Sequence, residues 1–183
     1  MNLDKINNMD FDMEYCIKDD YPEITVSHLP QKILIMLKRI YAGTKGELTA
    51  INQYIYEHYI IWSNPKLNNL AETLEKISIQ EMKHCEIIAK ILVRCGIDPK
   101  YCVYIDGNPN LCDYWKASNV SYEKTLVKIF ENNVFLERRT IEDYEEIINN
   151  TESENLKQLL ARIVCDEKAH LKYFTAILGI IKD

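Results

Sequence analysis

Phe130, Val134, Ile141, Tyr144 and Ile148 follow one another at spacings of four, seven, three and four. Apolar residues at those spacings form the buried stripe of an amphipathic helix. Glu137 falls on the same stripe. Ile40, Ile51, Tyr54 and Ile55 form a second stripe, and Glu47 lies on it. By contrast Glu131, Glu142 and Glu145 keep charged company and suit a solvated face.

The same reading predicts four long helices. The first starts at "SHLPQK", where Ser27 offers a cap and Pro30 a first-turn proline. It runs to Trp62, 33 residues or about 50 Å. Gly43 and Gly46 weaken its middle, so a bend or a late start is expected there. The second begins near Pro65 with Asn64 as cap and ends at Gly96. The third begins near Ser121 and runs through "IINN". The fourth runs from Ser153 to about Leu178, before Gly179.

The turns at 63–64 and 150–152 are short, so each flanking pair is expected to form an antiparallel hairpin. Residues 96–120 are different. At 25 residues, with Pro and Gly-Asn-Pro turn signals, they are too long for an ordinary bundle connection. Returning the chain along a helix of about 45 Å takes at least ~13 extended residues. The expected architecture is therefore all-α, a four-helix bundle of two hairpins joined by a long crossover. It occupies residues 29–183, and residues 1–28 form an N-terminal arm, either a strap along the bundle or a tail.

The halves repeat. "ELTAINQY" and "ERRTIEDY" both read E-x-x-x-I-x-x-Y, giving Glu47, Ile51, Tyr54 and Glu137, Ile141, Tyr144. Further on, "ISIQEMKHCEIIAKIL" and "IVCDEKAHLKYFTAIL" both contain Glu-x-x-His, with Ile four before the Glu and "IL" ten and eleven after it. Depth agrees as well. Glu47 and Glu81 each lie 17 residues from position 64, and Glu137 and Glu167 each lie 15 from position 152. With equal rise, hairpin partners sit at one level. Glu57, the rival acid, would instead face Ala71. The internal repeat implies a pseudo-twofold bundle.

Composition narrows the function classes. Apolar residues make up 47% of 183, enough for one sizeable core, and five Gly with five Pro favour helices over a turn-rich β fold. A net charge of −6 argues against nucleic-acid binding. No apolar run reaches the roughly 18 residues of a membrane span, and no membrane association is expected. "MNLDKINNMDFDMEYC" lacks an apolar signal core, so a cytoplasmic location is expected. Cys16, Cys85, Cys95, Cys102, Cys112 and Cys165 include no C-x-x-C pair and are expected to be reduced thiols. That spacing excludes an appended rubredoxin-type or zinc-ribbon module. His28 and His58 have no Glu three before them and suit plain surface or satisfied histidines.

Glu-x-x-His alone is a weak signal. The repeat and the matched depths make it specific, because they bring four glutamates and two histidines into an otherwise apolar core. Buried carboxylates without partners are costly and take up protons instead. No Lys or Arg shares these stripes near that level, whereas two divalent cations would balance four carboxylates. Glu-x-x-His sets an oxygen and a nitrogen ligand on one helix face, and a single glutamate from each remaining helix closes the pair. Such N/O ligands suit iron and manganese alike.

At these residues the sequence resembles the ferritin-like superfamily, in particular bacterioferritins and rubrerythrins. "ELTAINQY" and "EMKH" resemble the first two bacterioferritin helices, and "DEKAH" a helix-four segment shared across the superfamily. The resemblance covers about residues 40–95 and 125–175. It implies a ferritin-like bundle with metal ligands at Glu47, Glu81, His84, Glu137, Glu167 and His170, holding two iron ions or, alternatively, two manganese ions. Tyr54 matches a tyrosine beside the metals, expected to hydrogen-bond a bridging ligand or donate an electron. Met82 matches a haem-binding methionine, but simple packing is the plainer reading and haem is not expected. Cys85 lies close to the site and is expected to be a small buried residue. The implied function is a non-haem dimetal redox protein that reduces peroxide or O₂, or oxidises ferrous iron, with a separate electron donor. Only 13 residues follow His170, too few for bacterioferritin's fifth helix, so a homo-oligomer is expected to be a dimer and not a hollow cage. Bacterioferritin-like iron storage and manganese-catalase-like dismutation are the alternatives.

Overall fold

The computed structural model describes Ile6 and residues 19 to 183. The rest of the predicted arm, with Cys16, lies outside the described residues. Five helices are described: α1 (Gln31–Ala42), α2 (Glu47–Trp62), α3 (Asn68–Arg94), α4 (Leu126–Asn150) and α5 (Glu154–Lys182). α2 packs along α3 and α4 along α5, and a long crossover joins these two hairpins. The caps explain both tight turns. The Asn64 side chain accepts from the Lys66 N–H ahead of a 3-10 turn, Pro65–Leu67. The Ser153 hydroxyl accepts from the Leu156 N–H at the start of α5. α3 stops at the predicted place because Gly96 adopts φ +75°, and the Ile97 N–H then reaches the Leu92 carbonyl at 2.9 Å. Gly179 does not stop α5, which continues to Lys182.

The first predicted helix is interrupted. α1 ends at Ala42 and α2 starts at Glu47. The gap is set by close backbone approach. A Cβ on Gly43 would stand 2.3 Å from the Arg39 carbonyl oxygen, and one on Gly46 would stand 2.1 Å from that of Ile40. Ile40 therefore belongs to a separate helix and not to the Glu47 stripe. α1 packs on α3, α4 and the crossover and fills the end of the bundle that α2 is too short to reach.

The crossover holds an element the helical period did not show. β1 (Cys102–Ile105) and β2 (Asn108–Tyr114) pair antiparallel around Asp106–Gly107. Both turn residues have positive φ, 50° and 71°, as a two-residue hairpin turn requires. Residues 19–28 lie against the bundle: Asn155 accepts from the Thr25 and Val26 N–H groups and donates to the Glu23 carbonyl, and Arg162 donates to that of Asp19.

The core is two apolar clusters. One gathers α1, the C-terminal half of α3, Ile141–Ile147 of α4 and Leu156–Val164 of α5. The other gathers α2, the start of α3, Ile129–Leu136 and Tyr173–Ile181. Glu47, Glu81, His84, Glu137, Glu167 and His170 form a buried polar layer between them.

Candidate metal centre

Each main helix delivers its part of this layer. Glu47 is the first residue of α2, Glu81 and His84 lie on successive turns of α3, Glu137 on α4, and Glu167 and His170 on α5. All six are at most 1% exposed. Their ligand atoms fall into two overlapping groups, Glu47–Glu81–His84–Glu167 and Glu81–Glu137–Glu167–His170. Within each group one atom per residue lies within 4.8 Å of all the others. Glu81 and Glu167 belong to both groups and so lie between the two.

The two halves are nearly equivalent. His84 Nδ1 faces Glu81 Oε2 at 2.8 Å, Glu167 Oε1 at 2.8 Å and Glu47 Oε2 at 3.9 Å. His170 Nδ1 faces Glu81 Oε1 at 3.0 Å, Glu167 Oε2 at 3.6 Å and Glu137 Oε1 at 3.9 Å. The tyrosines cross over: Tyr54 donates to Glu137, and Tyr144 donates to Glu47. Both are fully buried, and burial, then the adjacent glutamate, raises each phenol well above its ordinary pKa. They remain protonated donors.

The layer's own side chains are short of positive charge. Burial raises Glu47 and Glu137 well above the carboxylate range, and the neighbouring Glu167 and Glu81 push the same way. Burial also opposes ionisation of Glu81 and Glu167, but the two histidines outweigh it and hold them below that range. Burial disfavours the histidine cations too, yet the glutamates raise His84 well above 6.5 and His170 to about 9. Protons on these side chains thus offset the layer's negative charge. Even so, Glu47 Oε2, Glu81 Oε1, both Glu167 oxygens and both His170 nitrogens lack an aligned hydrogen bond, and all but His170 Nε2 have only the ion-pair contacts above. Buried polar atoms are rarely left so. Their convergence, with carboxylate and imidazole donors, fits a pair of divalent ions.

The sequence reading missed two contributors. Asp166, fully buried, holds its Oδ2 3.3 Å from His84 Nε2. The same oxygen accepts from Tyr21, from Arg162, both at 2.6 Å, and from Gln80 at 3.2 Å. A carboxylate behind an imidazole fixes its tautomer and leaves the other nitrogen to face the site. Its counterpart in the repeat is Gln80, which turns to Tyr21 and Asp166 and away from His170. The second is Tyr144, which the repeat itself pointed to as the partner of Tyr54.

Other candidates fall elsewhere. Glu57 is buried outside the layer, accepts from Asn133 Nδ2 at 2.6 Å, and is raised to about 8 by burial. His58 is satisfied by the Ala71 carbonyl at 2.8 Å, and His28 is exposed. Met82 is 44% exposed, so it is not a packing residue of the core. Cys85 is buried beside the layer, and burial, then Glu47 and Glu81, push its thiol up to about 12.

A family model for the ferritin-like domain matches residues 38–183. This chain belongs to the ferritin-like family. Solved relatives share its fold. The ferritin-like chain superposes on a manganese catalase, KatB from Anabaena, with a TM-score of 0.74 and 21% identity, covering 91% of this chain and 80% of that one. A Desulfovibrio desulfuricans bacterioferritin described with a diiron site gives a TM-score of 0.64 and 26% identity, covering 82% and 80%. Mycobacterium tuberculosis bacterioferritin BfrA gives 0.68 and 23%, covering 85% and 89%. No curated protein sequence matches the chain. No helix among the described residues is long and apolar enough to cross a membrane.

Proposed function

We propose that this ferritin-like protein is a non-haem dimetal redox protein, with two iron ions held by Glu47, Glu81, His84, Glu137, Glu167 and His170. The observation that carries the reading is the pair of overlapping four-residue groups sharing Glu81 and Glu167. The diiron site named for the bacterioferritin at 26% identity supports iron over manganese. Bound there, two iron ions would supply electrons in pairs to peroxide or O₂ without releasing radicals, the electrons coming from a donor or from ferrous iron.

The chain's own residues set the terms of that chemistry. Glu81 and Glu167 span both positions, and Glu47 and Glu137 close one end each. The Tyr144 and Tyr54 phenols orient those end carboxylates and hold a proton beside each. Asp166 fixes His84 with Nδ1 toward the carboxylates. Apolar clusters above and below exclude water, which strengthens every charge interaction inside. A homodimer and a separate electron donor complete the proposal, and the cytoplasm is its proposed location.

Turnover with hydrogen peroxide tests it. The expected result is slow consumption alone and fast consumption once an artificial electron donor is added. Rapid oxygen release without a donor would instead establish manganese-catalase-like dismutation. Accumulation of a ferric mineral core in a large oligomer would establish storage.

A further inference from the structure

The crossover hairpin carries chemistry that the metal centre does not use. In the β1–β2 register Cys102 pairs with Tyr114, and Cys112 pairs with Tyr104. Side chains two apart on a strand share a face, so Cys102, Tyr104, Cys112 and Tyr114 project from one side, with the two cysteines diagonal. Cys102 is 1% exposed and Cys112 partly exposed, and both are free thiols.

A buried cation lies against that face. Lys38 of α1 is fully buried. Its ammonium donates to the Lys100 carbonyl at 2.6 Å and contacts that of Asp98 at 3.4 Å. It also lies over the rings of Tyr104 at 5.5 Å and Tyr41 at 5.8 Å. Among the described residues it has no carboxylate partner. A buried ammonium left with carbonyls and rings is a ready partner for a developing sulfur anion. Lys38 thus lies against the hairpin face that carries Cys102, over Tyr104 two residues further along β1.

We infer that Cys102 and Cys112 form a redox-active dithiol that hydrogen peroxide closes to a disulfide across the crossover hairpin. Cys112, the more accessible thiol, attacks one peroxide oxygen. Its sulfur gains OH, the O–O bond breaks, and one water leaves. The Cys102 sulfur then attacks the Cys112 sulfenic sulfur, the S–O bond breaks, and a second water leaves with the Cys102 proton. Sulfur loses two electrons in all, and peroxide is reduced to two waters. An external dithiol returns the pair to its reduced state. Burial, then Cys112, raises the Cys102 thiol, and Lys38 opposes them. Diagonal partners stand roughly 7–8 Å apart at Cα, and a disulfide needs less than about 6.8 Å, so the strands must close by about 1 Å. The register shifts between Tyr104 and Ile105, directly beside the pair.

The step needs no metal, and its test is independent of the metal site. The full-length, metal-loaded, reduced chain is treated with excess hydrogen peroxide, alkylated and mapped by peptide mass spectrometry. The expected result is a Cys102–Cys112 linkage that dithiothreitol reverses, with Cys85 still alkylated. Cys102→Ser should stop at a Cys112 sulfenic acid that dimedone traps. The variant with both Glu81→Ala and His170→Ala should form the same linkage. Cys112 oxidised without linkage in the wild-type chain, both thiols still alkylated while the exposed Cys165 is oxidised, or no linkage in the metal-ligand variant would each overturn the inference.

Discussion

Tyr144→Phe removes one hydroxyl and nothing else from the metal layer. Tyr144 is fully buried and donates to Glu47, whose other oxygen already has no hydrogen-bond partner. The variant therefore leaves both Glu47 oxygens unpartnered in a dry interior. Stranding a buried acceptor costs about 1–3 kcal/mol. At the middle of that range, about 2 kcal/mol, a chain of this length loses about 4–8 °C of melting temperature. The effect belongs to one half of the site. Tyr144→Phe should weaken metal at the Glu47–His84 end, and Tyr54→Phe should weaken it at the Glu137–His170 end. Calorimetry of the metal-free chain and stepwise metal titration read the two effects separately. In a Glu47→Gln background the Tyr144→Phe loss should shrink, because the acceptor has changed. A melting temperature within 1 °C of wild type, or a defect at the Glu137–His170 end alone, would refute the crossed-tyrosine reasoning.

Three further outcomes follow from the same geometry. Asp166→Asn should weaken metal binding at the His84 end by about 10- to 100-fold, the usual effect of losing a carboxylate behind an imidazole; a metal titration checks it. The metal-free chain should lose stability as pH rises. His170 is raised from 6.5 to about 9, because Glu81 and Glu167 outweigh burial, so its contribution is fully present below 6.5 and gone above 9. Raised His84, Glu47 and Glu137 act in the same direction; melting scans between pH 6.5 and 9 should fall without metal and flatten with it. Gly46→Ala should destabilise by about 1–3 kcal/mol, because its Cβ meets the Ile40 carbonyl oxygen at 2.1 Å, and should displace Glu47 at the start of α2; denaturant unfolding and metal content test the two halves of that statement.

The bundle and the six-residue layer were legible because both are periodic. Amphipathic stripes give helices, and a repeated Glu-x-x-His at matched depth places glutamates and histidines at one level. What escaped is aperiodic or depends on a contact between distant segments. The break at Gly43–Gly46 is caused by carbonyl oxygens a Cβ cannot approach, and helical periodicity continues across it. The hairpin had a local signal, Asp106–Gly107, but "GNP" reads as a loop until two strands are known to flank it. Asp166 sits inside "DEKAH", where its neighbours are the obvious ligands. Its role depends on Tyr21, Gln80 and His84, which lie 82 to 145 residues away. Tyr144 was visible in the repeat, and only the crossing of the two tyrosines required coordinates.

Metal stoichiometry tests the central claim most directly. Elemental analysis of the native chain, and of the chain reconstituted with ferrous iron, should give two ions per chain, one for each four-residue group. Glu81→Ala should lower both, since Glu81 belongs to both groups, and His170→Ala should lower one. Metal content below one ion per chain after reconstitution, or two ions retained in Glu81→Ala, would contradict the account.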